Sequence, residues 1–231
     1  MVLESTETKD DTMKPDAKLL TLPLFQGLSQ QDLWHIMETT PMTFLSHNTL
    51  QPIANENERC DRLIFLLDGT VNITTFAHDH SYRLTEELQS PRAIEPEHLF
   101  GLHQRFMSKY TAQGKCNTMS ISKSDIVRLT ERYDIFRINL QNILSTQIQR
   151  LQQRPWHPSP TNLQERIVRF FFDHCTHPAG KKDFVIKMSQ LATELNDTRL
   201  NVSAALNALE NKQLITLTRG HITIPALERL K

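Results

Sequence analysis

The run Met188-Ser-Gln-Leu-Ala-Thr-Glu-Leu-Asn-Asp-Thr-Arg-Leu-Asn-Val-Ser-Ala-Ala-Leu-Asn207 decides the fold of the C-terminal third of this chain. It reads as two short helices joined by a tight turn. Met188, Leu191 and Leu195 recur at helical spacing, and Ala192 is small where a second helix must cross close by. Asn196-Asp197 supply the turn, because Asn tolerates the left-handed backbone that such a corner otherwise takes from Gly. Thr198 is a natural N-cap for the next helix, its oxygen accepting a main-chain N–H that the first turn leaves unpaired. The inner face of that helix would be Val202, Ala205, Leu206 and Leu209, which leaves Arg199, Asn201, Ser203 and Asn207 on or near the outer face. A helical hairpin in an ordinary core is the plain alternative.

The flanks separate the two readings. Leu214-Ile-Thr-Leu-Thr218 and His221-Ile-Thr-Ile224 alternate around Arg219-Gly220, which reads as a β-hairpin. Upstream, Arg166 to His174 would be a first helix with Ile167, Phe170 and Phe171 buried. Three helices followed by a short hairpin make a winged helix-turn-helix, the geometry that lays a helix in the major groove of double-stranded DNA. Arg199 in the first turn suits paired hydrogen bonds to guanine, and Asn201 and Ser203 suit adenine or phosphate. Ser189 and Gln190 at the start of the preceding helix suit backbone phosphates, as do Arg219 and His221 at the wing tip, and Thr198 is counted with the DNA-binding residues.

The 231 residues are enough for two modest domains, and 39% hydrophobic content can fill a core in each. Formal net charge is zero, but residues 161–231 hold 10 Lys and Arg against 7 Asp and Glu, whereas residues 1–160 hold 16 against 19. The slight basic excess therefore sits where the DNA reading lies. Cys60, Cys116 and Cys175 lie far apart and read as buried free thiols in a reducing cytoplasm. The polar, acidic start and the lack of a long apolar run support neither secretion nor membrane insertion. No Gly-rich nucleotide loop, nucleophile elbow or His-Glu-x-x-His is present, so no catalytic residue is assigned and an enzyme is not expected. His78-Asp-His80 and His174-Cys-Thr-His177 have ligand residue types, but loop histidines at such spacing are ordinarily solvated; neither metal nor cofactor is expected.

Along the chain, residues 1–16 read as a disordered start. A helix from about Ser29 to Thr40 follows, with Leu33, Ile36 and Met37 inside and Pro41 ending it. From about Phe44 to Ser122 short alternating stretches predict a β-roll: Leu50 to Ile53, Leu63 to Leu67, Val71 to Phe76, Tyr82 to Leu88 and Cys116 to Ile121. Asp68-Gly69 predicts a hairpin between the second and third of these. Ser124 or Asp125 starts a short helix, and Tyr133 to Gln153 a long one. On the long helix Phe136, Leu140, Ile143, Leu144, Ile148 and Leu151 step by three and four. That stripe either packs on the β-domain or forms the seam of a homodimer, and the seam is the reading adopted, since symmetric DNA readers commonly dimerise. Pro155-Trp-His-Pro-Ser-Pro160 reads as a stiff linker. The expected domains are thus 17–123, a β-roll; 124–154, a dimerisation helix; 155–160, a linker; and 161–231, the winged helix.

This α+β arrangement, an N-terminal β-roll of cyclic-nucleotide-binding type, a long dimerisation helix and a C-terminal winged helix-turn-helix, resembles the Crp/Fnr transcriptional regulators. Phe25-Gln-Gly-Leu-Ser-Gln-Gln-Asp-Leu33, Leu63-Ile-Phe-Leu-Leu-Asp-Gly-Thr-Val71 and Ile121-Ser-Lys-Ser-Asp-Ile126 carry the resemblance in the first half. Leu195 to Ser203 and Ile224-Pro-Ala-Leu-Glu-Arg-Leu230 look like a branch common in Bacteroidetes. The resemblance implies a cytoplasmic homodimeric regulator on inverted-repeat DNA, with RNA polymerase a candidate partner and no membrane attachment. It also implies a Gly-Glu pair for a ribose and an Arg-hydroxyl pair for a cyclic phosphate. Here Leu102 and His103 follow Gly101, and no Arg precedes Ser or Thr between Gln104 and Ala112, so control by cyclic AMP is not expected. Arg105, Lys109 and His103 are the residues left to meet an unidentified small-molecule effector, if one exists. Ala204 stands where the family often has a reading Arg, which implies altered base preference; the rival is a structural or partner-binding protein with a degenerate DNA-binding domain.

Overall fold

The computed structural model describes residues 19–153 and 159–230; the N-terminal segment and residues 155–158 of the linker lie outside them. After a 3-10 turn at Pro23–Phe25, helix α1 (Gln30–Thr39) opens on Ser29, whose hydroxyl accepts the Asp32 N–H. Strands β1 (Met42–His47), β2 (Pro52–Ala54), β3 (Arg62–Asp68), β4 (Thr70–Phe76), β5 (Arg83–Gln89), β6 (Arg92–Ile94), β7 (Lys109–Ala112) and β8 (Cys116–Ser122) follow. Helices α2 (Lys123–Arg132) and α3 (Asp134–Gln153) close this half, Tyr133 ending the first of them with its N–H on Leu129 O. No helix among the described residues is long and apolar enough to cross a membrane.

The strands divide between two sheets. One runs β1-β8-β3-β6, and the other carries β5, β4, β7 and β2 side by side. Leu63, Phe65, Val71, Ile73, Leu88 and Ile94 fill the space between them. Burial of both faces of β3, from Leu63 through Leu66, matches its continuous apolar run.

Asp68-Gly69 does not make the expected hairpin. β3 and β4 belong to different sheets, so the turn carries the chain from one sheet to the other. Gly69 has φ 89°, and a Cβ there would lie 2.7 Å from the Cys116 Cβ and 2.8 Å from the Lys115 carbonyl. A corner that folds the chain across the core needs glycine as much as a hairpin does, so the dipeptide alone cannot tell them apart.

The N-terminal half of α3 is part of this core. Phe25 sits 5.8 Å from Phe65 and 5.5 Å from Phe136, centroid to centroid, and Asn139 Nδ2 donates to the Leu24 and Gln26 carbonyls. Phe136 and Leu140 are therefore buried within the chain, Ile143 and Leu144 half-buried against the same core, and Ile148 and Leu151 exposed. The first half of the apolar stripe thus packs on the β-domain, and its second half is exposed among the described residues.

The second core is built by α4 (Leu163–His174), β9 (Lys182–Val185), α5 (Met188–Glu194), α6 (Arg199–Asn211), β10 (Thr216–Thr218) and β11 (His221–Ile224). Strand β9 was not legible in Lys182-Asp-Phe-Val185, because a charged pair opens it. It pairs with β11 on one side and with β5 on the other, making one seven-stranded sheet, β10-β11-β9-β5-β4-β7-β2. Leu84 of β5 accordingly packs in the second core with Phe170, Phe171 and Phe184, and the Tyr82 hydroxyl meets His174 Nε2 at 3.0 Å.

Candidate nucleic-acid interface

The turn between α5 and α6 is held from several sides. Asn196 adopts φ 49°, the left-handed conformation expected of it. The Asp197 carboxylate accepts the Thr198 N–H at 2.8 Å and the Asn201 amide at 2.9 Å, and pairs with the Arg166 guanidinium. Arg166 also donates to the Leu195 carbonyl at 3.0 Å, so α4 clamps the corner. The Asn201 amide, the Thr198 N–H and Arg166 together hold the Asp197 carboxyl below its ordinary range. The Arg166 clamp joins residues 31 positions apart and so leaves no local signal in the sequence.

Thr198 caps α6, its hydroxyl accepting the Asn201 N–H at 3.2 Å, a contact of about 1 kcal/mol. Val202, Leu206 and Leu209 are buried and Ala205 packs against the same core. The opposite face presents Arg199, Asn201, Ala204 and Asn207 to solvent, with Ser203 half-buried. The expected residues thus stand on one face, but not in one state. Arg199 is extended into solvent in the first turn, whereas the Asn201 amide is already engaged by Asp197. Gln190 is likewise spent, donating to Glu194 at 2.8 Å, and Ser189 is exposed at the second position of α5.

Leu200, at 79% exposure, is a residue that sequence reading passed over. An apolar side chain between Arg199 and Asn201 thus stands largely exposed among the described residues; a thymine methyl is the apolar feature of a major groove. Its signal was available, since it falls outside the Val202-Leu206-Leu209 spacing.

The wing is shorter than expected, β10 beginning at Thr216 rather than Leu214, while Ile215 is buried beneath it. Gly220 takes φ 78° at the tip, Arg219 and His221 are exposed on either side, and the Gly220 carbonyl accepts the Ile186 N–H at 3.0 Å. Glu210 at the end of α6 accepts the Leu217 N–H at 2.7 Å, which ties the wing to the outward-facing helix.

The residues weighed for an effector do not form a comparable site. Arg105 donates to the Asn57 carbonyl at 2.6 Å, Lys109 points outward from β7, and His103 offers its carbonyl to His98 Nδ1 at 3.2 Å. The histidine pairs are also apart in use: His80 faces Glu56 at 3.8 Å, and His174 is held by Tyr82 and the Phe170 carbonyl.

Residues 165–231 match the family described as the Crp-like helix-turn-helix domain. No curated protein sequence matches the chain. Among solved structures it is similar to the Thermus thermophilus catabolite activator protein, at 16% identity over 90% of this chain and 96% of that one, with a TM-score of 0.49. It is similar also to the sensor domain of the transcriptional regulator DNR from Pseudomonas aeruginosa, at 16% identity over 63% and 99% of the two chains and a TM-score of 0.49. A third similar structure is the global regulator CLP of Xanthomonas campestris, at 17% identity over 80% and 94% and a TM-score of 0.48.

Proposed function

We infer, from the Crp-like helix-turn-helix domain at residues 165–231, that the chain is a DNA-binding transcriptional regulator rather than an enzyme. The observation that carries this reading is the outer face of α6, where a capped first turn projects Arg199 and Leu200 into solvent above a clamped left-handed corner. Arg199 would pair with guanine, Leu200 would meet a thymine methyl, and Thr198, Ser189, Arg219 and His221 would hold phosphates. Asn201, Ser203 and Gln190 join them once the Asp197 and Glu194 contacts exchange for DNA.

The proposal extends to a homodimer in the cytoplasm, with residues 17–123 as a platform, 124–154 as the dimerising segment, 155–160 as linker and 161–231 as reader. Exposed Ile148 and Leu151, continuous with half-buried Leu144, support a seam on the second half of α3. Cyclic AMP would not control it, because Arg105 is committed to Asn57 and no Glu follows Gly101. RNA polymerase would be the partner at promoters.

The engaged Asn201 and the small Ala204 favour a second reading, a partner-binding protein whose reader is degenerate. Selection from a random double-stranded DNA pool separates the two. A regulator enriches an inverted repeat with half-sites roughly 10 bp apart; recovery of no common sequence overturns the regulatory reading.

A further inference from the structure

Glu95 is a buried carboxylate with an unusual set of partners. It stands between β6 and a 3-10 turn at Pro96–His98, in the left-handed region at φ 39° and only 9% exposed. One oxygen accepts the Met107 N–H at 2.7 Å; the other accepts the Ser108 N–H and the Tyr110 hydroxyl, each at 3.1 Å. The partners are thus two consecutive main-chain donors and a phenol, rather than a lysine or arginine.

Those donors need an acceptor. Met107 and Ser108 precede β7, whose last pair with β4 is Thr74 with Lys109, so their N–H groups lie beyond that ladder. Consecutive main-chain N–H groups turned to one point make a concavity selective for negative charge, and buried donors left empty are costly. The Ser108 hydroxyl is anchored 2.7 Å from Thr75 Oγ1, which fixes the peptide's direction. The Met107 side chain is 61% exposed, so the donors sit just beneath the surface. The three contacts of the Glu95 side chain help to hold its backbone at positive φ.

We propose that Met107, Ser108 and Tyr110 form an oxyanion-binding cradle which the chain closes with its own Glu95 carboxylate. Tethering gives that carboxylate an effective concentration that a free carboxylate or phosphate cannot match, so the cradle is already filled in the folded chain. Removing the side chain turns the cradle into a receptor for small oxyanions. Burial, with a smaller push from Glu97, raises the Glu95 carboxyl from its ordinary range while the Met107 N–H, the nearby His98 and the Tyr110 hydroxyl draw it back, and the test is therefore run at pH 8.

The variants are Glu95→Gly, which suits the left-handed backbone, and Glu95→Gln, which keeps the shape but turns an amide donor toward the N–H groups. Thermal melting is followed in sodium chloride, acetate or phosphate at equal ionic strength. We expect saturable stabilisation by acetate or phosphate in Glu95→Gly, with the wild type responding only as it does to chloride. Saturable stabilisation of the wild type, or a Glu95→Gly variant no more responsive than the wild type, overturns the proposal. Should Glu95→Gly fail to fold, amide exchange at Met107 and Ser108 decides: it should quicken at least about tenfold in Glu95→Gln, and unchanged exchange overturns the proposal. Neither measurement involves DNA, so its outcome is independent of the DNA-reading proposal.

Discussion

Lys182 Nζ lies 3.0 Å from Glu86 Oε1, and neither side chain is exposed to solvent. The pair joins the two cores: Glu86 belongs to β5 of the roll and Lys182 to β9 beside the reader. Glu86 also accepts the Thr176 and His177 N–H groups at 2.9 and 3.1 Å, and Lys182 donates to the Ala179 carbonyl at 2.8 Å. A buried pair with its remaining valences filled is costly to break on one side only.

Glu86→Ala should therefore cost about 3–5 kcal/mol, by leaving an uncompensated buried ammonium. Adding Lys182→Met should recover most of that loss. A double-mutant cycle from urea denaturation measures both, and a single-variant cost below about 1 kcal/mol would mean the pair is solvated.

His177, beside this pair, sets a pH dependence. Burial is the first cause that lowers its pKa, opposed by Glu86 and supported by Lys182, Arg92 and Arg150, and its Nδ1 is buried with no hydrogen-bond partner among the described residues. The unfolded chain thus takes up the proton more readily than the folded one. The contribution is complete above the unfolded value of about 6.5 and is lost as pH falls below it. Urea midpoints should fall from pH 7.5 to 5.5, and His177→Gln should flatten that slope; an unchanged slope in the variant would assign it to other groups.

The proposed seam on the second half of α3 gives opposite outcomes for neighbouring substitutions. Leu144→Glu with Ile148→Glu should yield folded monomers in sedimentation, since those residues lie at or beyond the edge of the core. Phe136→Glu should unfold the chain, because its ring packs on Phe25. A dimer that survives the double change places the seam elsewhere.

The local parts of this fold were legible because local chemistry specifies them. Thr198, Ser29 and Asn196 are read from capping and from left-handed backbone preference, and each behaves as read. What escaped depends on distant partners. The Asp68-Gly69 turn carries a hairpin signature, yet sheet membership is decided by how β3 and β4 pair elsewhere. Strand β9 opens with a lysine whose charge is met in the core by Glu86, 96 positions away. The outer face of α6 was visible as spacing, whereas the clamp of Arg166 reaches 29 positions along the chain to the Leu195 carbonyl.

The most direct test of DNA reading is a mobility-shift titration of wild type, Arg199→Ala and Arg219→Ala against a selected site and a scrambled duplex, across a salt series. Arg199→Ala should lose about 1–3 kcal/mol on the selected site alone, narrowing the ratio between the two duplexes. Arg219→Ala should weaken both alike and flatten the salt dependence. A wild-type protein that binds the two duplexes equally, or not at all at low salt, would contradict the assignment of α6 as a DNA-reading helix.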